Sequence, residues 1–356
     1  MKWTNFNIQT FKSITHFLLF PLSFIYGIIT STRNLLFDFG FFKEKTHPIP
    51  IICIGNLSLG GAGKTPHTQY LYDLLKIKYQ VAVLSRGYGR KTSTLQIVKI
   101  TSKASNVGDE PLQLKQNNPE CLVVVEKNRN KGVQHILQNF PKTEIILLDD
   151  GYQHRWIKAG FNILVTSFSS PYYDDYLMPL GRLREGKIGV TRANAVIFSK
   201  SPENTNPTLK KGMLEKLNLF SHQKAYFSII KYHKFKSISN NTEIEELDKY
   251  SITLVSGISN ANPLIEYLKE SGHNINHLEY SDHHNYSLHD IDNILVKHRA
   301  EQSTKKLILT TEKDATKLRQ FSHHFKDINF YYIPIEIKID QSEIFKKQIL
   351  DYVEKN

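Results

Sequence analysis

The sequence predicts an α/β protein: a doubly wound, mostly parallel sheet, a second and smaller α/β domain, and a hydrophobic helical segment at the N-terminus. Three observations predict it. From residue 49 onward, short apolar runs alternate with amphipathic stretches, the pattern of strands and crossover helices in a parallel sheet. The apolar run PIICIGN leads directly into LSLGGAGKTP, residues 57–66, a glycine-rich loop placed where a strand hands over to a helix. Ahead of both lies ITHFLLFPLSFIYGIITSTRNLLFDFGFF, residues 14–42, dominated by Phe, Leu and Ile.

In chain order, the N-terminal segment comes first. Pro21, Arg33 and Asp38 interrupt it, and its charge-free stretch from Ser13 to Thr32 is marginal against the about 20 strongly apolar residues of a spanning helix. It therefore reads as a tilted, interfacial amphipathic segment over residues 1–45 that docks on a membrane, with Lys2, Lys12, Arg33 and Lys43 offered to anionic headgroups. No small-residue cleavage site follows it, which argues against a signal peptide.

The strands of the first domain, 46–225, are expected at 50–56, 80–86, 121–126, 144–150, 161–167 and 195–200. TPHTQYLYDLLKIK and NKGVQHILQNF supply helices between them. A polar, Lys- and Asn-rich zone follows, with YFSIIKYHKF (226–235) as extended connecting strands in a linker over 226–250. The C-terminal α/β domain, 251–356, opens on SITLVSGI and closes on the helix SEIFKKQILDYVEK, whose apolar face is read as Ile344, Phe345, Ile349 and Val353.

A chain of 356 residues with 40% hydrophobic content is long enough for two globular domains and lacks the balance of a disordered one. Its two cysteines, Cys53 and Cys121, are too few for a disulfide framework and lie in strand-like runs, where a free thiol packs as a small hydrophobe. The formal charge of +12 draws anionic partners. Neither a dense basic arm nor a zinc-finger or RNA-recognition motif points to nucleic acid.

In a phosphate loop, small residues let backbone N–H groups curl around phosphate oxygens, a lysine reaches the terminal phosphates, and the following hydroxyl helps to hold Mg²⁺. Ser58, Leu59, Gly60, Gly61, Ala62, Gly63, Lys64 and Thr65 form such a loop, in a P-loop NTPase-like setting. Ser58 stands where the usual pattern has glycine. EIILLDDGYQHR (144–155) fits the strand whose terminal carboxylates, Asp149 and Asp150, reach the metal directly or through water. Two further stretches carry reactive side chains. NVGDEP (106–111) places Asp109 and Glu110 in a loop between strands, and YSDHHNYSLHD (280–290) is rich in histidine without zinc-ligand spacing. A guanine-reading N-K-x-D is lacking, since SKSP (199–202) has no Asp, which argues against a GTPase.

GNLSLGGAGKTP, LSRGYGRK, VGDEP, LLDDGYQHR, MPLGRLRE and LTTEKD, in this order and spacing, closely resemble the tetraacyldisaccharide 4′-kinase (lipid A 4′-kinase) family of Gram-negative bacteria. FPLSFIYGIIT is similar to that family's membrane-docking segment, and family members also carry Ser or Thr at the Ser58 position. The resemblance implies transfer of the ATP γ-phosphate to the 4′-hydroxyl of a tetraacylated disaccharide 1-phosphate at the cytoplasmic face of the inner membrane, by a peripheral protein with no protein partner implied. It implies that Lys64 stabilises the transferring phosphate and that Thr65 and Asp150 hold Mg²⁺, with Asp149 or Glu110 as a further carboxylate. By the same resemblance Asp109 is the base and His283 its partner, brought from the second domain by closure of a cleft. Arg86, Arg90, Arg184 and Glu185 match positions near nucleotide or acceptor. MPLGRLRE departs from the small residue and Pro that many relatives carry before Leu-Arg-Glu or Met-Arg-Glu. Two other readings are a soluble P-loop kinase of another small-molecule hydroxyl and an ATP-switched membrane adaptor, which would need neither Asp109 nor His283.

Overall fold

The structure, a computed structural model, describes residues 2–244, 249–326 and 328–356, with side chains from residue 18 onward. Residues 245–248 of the expected linker, and the side chains of Lys2 and Lys12, lie outside the described part. The first half of the chain forms α1 (Lys2–Asp38), β1 (Ile51–Gly55), α2 (Lys64–Leu75), β2 (Val81–Ser85), β3 (Gln96–Ile97), α3 (Ala104–Val107), α4 (Asp109–Asn117), β4 (Leu122–Val125), α5 (Arg129–Asn139), β5 (Ile145–Asp149) and β6 (Phe161–Ser167). Then follow β7 (Ala195–Ser199), α6 (Pro207–Glu215), β8 (Lys224–Tyr232), β9 (Lys236–Ser237), β10 (Ser251–Ser256), α7 (Asn262–Glu270) and β11 (Asn274–Glu279). The chain closes with α8 (Leu288–Ala300), β12 (Lys306–Thr311), α9 (Glu312–Leu318), β13 (Phe330–Ile333), β14 (Ile335–Ile339) and α10 (Ser342–Glu354).

Two compact units emerge, each discontinuous in sequence, unlike the contiguous segments expected at 46–225 and 251–356. One comprises Met1–Gln80, Leu137–Ile229 and Lys338–Asn356, and the other Val81–Ile136 and Ile230–Ile337. In the first unit β5, β1, β6, β7 and β8 lie side by side, every neighbouring pair parallel. β1, β5 and β7 are buried along their whole length, as strands covered on both faces must be, and this explains their unbroken apolar runs. YFSIIKYHKF, expected as a connector, instead belongs largely to β8, which pairs with β7 from Lys224 to Phe227. α10 buries Phe345, Ile349 and Val353, spaced by four residues, while Ile344 is left exposed because it lies about 100° around the helix from Phe345.

In the second unit β2 and β4 are parallel with β3 antiparallel at the edge, and a second sheet runs β11, β10, β12, β13, β9. Alternation sorts the second sheet's side chains onto two faces. Ile252, Leu254, Leu307 and Leu309 pack on one, with Leu264 and Leu268 of α7, whereas Val255 and Ile308 pack on the other, with Ile291 and Ile294 of α8.

Helix α1 inverts the ordinary amphipathic rule. Leu18, Phe20, Leu22, Phe24, Ile25, Ile28 and Ile29 are each more than half exposed, whereas Ser23, Asn34 and Phe37 are buried and Tyr26, Gly27, Thr30 and Arg33 partly so. The residues turned toward the protein recur at helical spacing and are mostly polar; the apolar ones face outward. No helix among the described residues is long and apolar enough to cross a membrane.

Candidate functional site

The glycine-rich loop sits between β1 and α2 in the first unit. Gly60 and Gly63 adopt φ of +107° and +84°, a region L side chains rarely enter, and Gly63 immediately precedes the first residue of α2. Ser58 does not need that freedom, because it forms a bridge with Leu183, flanked by Leu59 N–H donating to Arg182 O and Arg184 N–H to Leu57 O, both at 2.7 Å. A side chain is therefore tolerated where the usual pattern has glycine. The far end of the loop is held by Ser199, whose hydroxyl donates to Ala62 O, and by His67, whose Nδ1 meets Gly63 O at 2.7 Å. Burial pushes His67 down to about 4, so this imidazole is neutral and Nδ1 is the donor.

Around the loop stand the groups a phosphate site requires. Lys64 Nζ lies 3.7 Å from Asp150, and Arg184 Nη1 donates to the same carboxylate at 3.0 and 3.2 Å. Asp150 follows β5 with φ of 51°, in the left-handed region, where a non-glycine residue at a site often marks function. Asp149 points inward instead: it is 1% exposed and accepts from the Thr68 hydroxyl. Thr65 Oγ1 is buried and makes no hydrogen bond to the protein, so this hydroxyl at the start of α2 is left for a ligand. Glu185 is closed to ligands. It is 2% exposed, and its carboxylate accepts from Arg192, Gln153 and Asn34 at 2.7–2.9 Å.

The second unit holds the other candidate residues. Asp109 and Glu110 begin α4, a correction to the expected loop; Gly108, with φ of +95°, makes the turn into the helix. Asp109 is buried, and both its oxygens lie within reach of His283 Nδ1, at 2.9 and 3.2 Å. Burial would raise the Asp109 carboxyl, but the His283 hydrogen bond and the charges of Lys313, His283 and Lys317 outweigh it and hold the carboxyl well below its usual range. His283 is correspondingly raised above 6.5, first by its hydrogen bond to Asp109. Its backbone, like that of Asp150, is left-handed, with φ of 60°. His284 is occupied elsewhere, 3.1 Å from Asp290, which also closes the capping box of α8 with Ser287. The pair thus lies within one compact unit, whereas the expectation drew its members from two domains.

Several neighbours of the pair were not singled out in the sequence. Lys313 Nζ lies 3.3 Å from His283 Nε2 and donates to Asp282, with Glu110 at 3.7 Å. Lys317 is 4% exposed, 3.6 Å from Asp109 and 3.4 Å from Asp314. Both come from TEKDATK, where spacing by four on α9 was the available signal. Tyr88, exposed, brings its ring 5.1 Å from that of His283. Arg86 is exposed on the same loop, whereas Arg90 is turned into it, donating to Thr94 O at 2.7 Å.

The family model described as LpxK, tetraacyldisaccharide-1-P 4′-kinase, matches residues 15–354. A tetraacyldisaccharide 4′-kinase of Bacteroides thetaiotaomicron is 40% identical over 358 residues, covering 96% of this chain and 94% of that protein. One from Flavobacterium johnsoniae is 39% identical over 341 residues, covering 95% and 97%. Among solved structures, LpxK of Aquifex aeolicus in complex with ATP superposes with a TM-score of 0.74 at 29% identity, over 95% of this chain and 99% of that one.

Proposed function

The chain belongs to the tetraacyldisaccharide-1-phosphate 4′-kinase family, and from that membership we propose that it transfers the γ-phosphate of ATP to the 4′-hydroxyl of a tetraacyldisaccharide 1-phosphate, a step of lipid A biosynthesis. A phosphate loop alone serves hydrolases, switches and kinases alike. The observation that favours a kinase is the Asp109–His283 pair, since a switch needs no base for an acceptor hydroxyl.

In this reading the loop amides and Lys64 hold the β- and γ-phosphates, and Arg184 fixes Asp150. Mg²⁺ fits the residues present: the unpartnered Thr65 hydroxyl and the Asp150 carboxylate are hard oxygen donors. No cluster of three His, Cys, Asp or Glu forms a metal cage among the described residues, so the cation is expected to arrive with the nucleotide phosphates. Bound there, it neutralises charge on the transferring group. Asp149 supports α2 through Thr68, and Glu110 balances Lys313.

Of the pair, His283 is the better proton acceptor. The Asp109 carboxyl is held too acidic to take a proton readily, whereas the imidazole is raised. With Nδ1–H donating to Asp109, Nε2 faces the acceptor, and the sugar hydroxyl takes the place that Lys313 Nζ holds. The hydroxyl proton passes to Nε2, its oxygen bonds the γ-phosphorus, the bond to the β,γ-bridging oxygen breaks, and ADP leaves. Arg86, exposed beside Tyr88, is assigned to the acceptor's anionic end; Arg90 braces their loop and Glu185 the loop that carries Arg184.

The outward apolar face of α1 favours a lipid surface, since contiguous exposed apolar area of this kind marks an interaction site. We place the protein peripherally on the leaflet that faces ATP, where the net charge of +12 draws the anionic lipid. The test of the chemistry is Asp109→Asn and His283→Ala: both should lower kcat by about 10²–10⁴-fold while ATP still binds. Full turnover in both variants would leave the switch reading standing.

A further inference from the structure

The inward face of α1 does more than seat the helix. Tyr26 Oη donates to Arg184 O at 2.7 Å, Asn34 Nδ2 to Glu185 Oε2 at 2.7 Å, and Ser23 Oγ to Leu177 O at 2.9 Å, so three side chains of one helix grip the segment 177–185. A second grip falls on the segment after β5: Arg33 Nη2 donates to Gln153 O at 2.7 Å, and Arg155 donates through Nη1 to Asn34 O at 3.0 Å and pairs through Nη2 with Asp38 at 2.8 Å. These two segments carry Arg184 and Asp150, which face each other across 3.0 Å beside Lys64. Gln153 ties them together, since its Nε2 donates to Glu185 Oε1 at 2.9 Å and to Asn56 O, at the entry to the phosphate loop, at 2.8 Å.

This arrangement leaves a cost uncovered. Asn34 is 8% exposed, and its Oδ1 has no hydrogen-bond partner, so an apolar residue would fill the position without burying an unmet acceptor. What asparagine gains there is the bond to Glu185. Tyr26, eight residues or about two and a quarter turns earlier at 3.6 residues per turn, makes the adjoining bond to the Arg184 carbonyl, so the pair holds consecutive residues of the same loop.

We infer that Tyr26 and Asn34 are positioning residues of the phosphate site: they fix Arg184 and Glu185, and through Arg184 the Asp150 carboxylate, so that the seating of α1 sets turnover as well as surface attachment. The inference rests on the reading of Lys64, Thr65 and Asp150 as the nucleotide site. The helix thus has two faces with separate duties, an apolar outer one for the lipid surface and a polar inner one for the catalytic geometry.

The test uses the full-length protein with Tyr26→Phe, which removes one hydroxyl and keeps the ring, and with Asn34→Ala. Two quantities are read: Mg²⁺-ATP affinity by calorimetry without acceptor, and kcat and acceptor KM in mixed micelles of the disaccharide 1-phosphate. Each variant should weaken Mg²⁺-ATP binding at least threefold and lower kcat five- to twentyfold. Acceptor KM and sedimentation with phosphatidylglycerol vesicles should stay within twofold. Asn34→Ala combined with Glu185→Gln should lose no more than the larger single loss, because both act through one route. Unchanged ATP affinity and kcat in Tyr26→Phe and Asn34→Ala, or losses confined to vesicle binding, would overturn the inference. Wild-type protein that binds ATP but phosphorylates no acceptor would remove the functional reading, and the calorimetry would still decide this one.

Discussion

At the scale of single residues, two histidines show how surroundings fix protonation. His67, enclosed between Gly63 O and the Ser228 hydroxyl, is pushed down to about 4 and held neutral. Protonation therefore favours the unfolded chain: the stability from this group is complete above pH 6.5 and lost as the pH falls toward 4. Urea midpoints of wild type and His67→Gln should accordingly differ most near pH 7.5 and converge toward pH 5; a constant difference would show that His67 is not buried neutral. His283 has the opposite sign. Its folded-state pKa lies above 6.5, so its contribution to stability is present at low pH and lost as the pH rises through that raised value. As the proton acceptor it must be neutral, so the acidic limb of kcat/KM should lie above pH 6.5, and in Asp109→Asn the limb should move to lower pH as the plateau drops. SDHHN by itself does not tell its two adjacent histidines apart: the family resemblance paired His283 with Asp109, and the structure adds that His284 turns to Asp290 instead.

At the scale of elements, the sheet was the most legible part. β1, β5, β6 and β7 appear within one or two residues of the apolar runs that announced them, since a strand buried on both faces writes itself as unbroken apolar sequence. The phosphate loop was legible for a related reason: its glycines mark backbone conformations that other residues avoid. Gly63→Ala, at φ of +84°, should cost about 1–2 kcal/mol and weaken ATP binding in calorimetry, and wild-type affinity would count against the loop conformation. Less legible was the inner face of α1. Its apolar residues were read as facing a membrane, but nothing in the sequence marked Ser23, Tyr26 and Asn34 as the residues that turn inward. Phe20→Ser combined with Phe24→Ser should lower vesicle sedimentation about tenfold or more, at roughly 1.5–3 kcal/mol for each fully withdrawn side chain. Undiminished sedimentation would take the lipid surface away from that face. α4 was missed because Asp-Glu-Pro reads as a turn, whereas Gly108 makes the turn and Pro111 sits in the first turn of the helix, where its missing N–H costs nothing.

For the whole molecule, each compact unit supplies a different chemical capacity. One brings a phosphate loop with Lys64, Asp150 and Arg184, and the other an Asp–His pair with two flanking lysines. The lysines recur by four on α9, which local spacing shows, but their meeting with Asp109 and His283, like the polar grip of α1, joins segments far apart in the chain and is not encoded locally. The central claim is phosphoryl transfer to a lipid-borne sugar hydroxyl. It is tested most directly by incubating wild-type and Lys64→Ala protein with γ-labelled ATP, Mg²⁺ and a tetraacyldisaccharide 1-phosphate in mixed micelles, then locating the label by mass spectrometry and NMR. The account predicts one phosphate added at the 4′-oxygen by the wild type and a loss of about 10²-fold or more in Lys64→Ala; label released only as inorganic phosphate, or transfer that persists without Lys64, would contradict it.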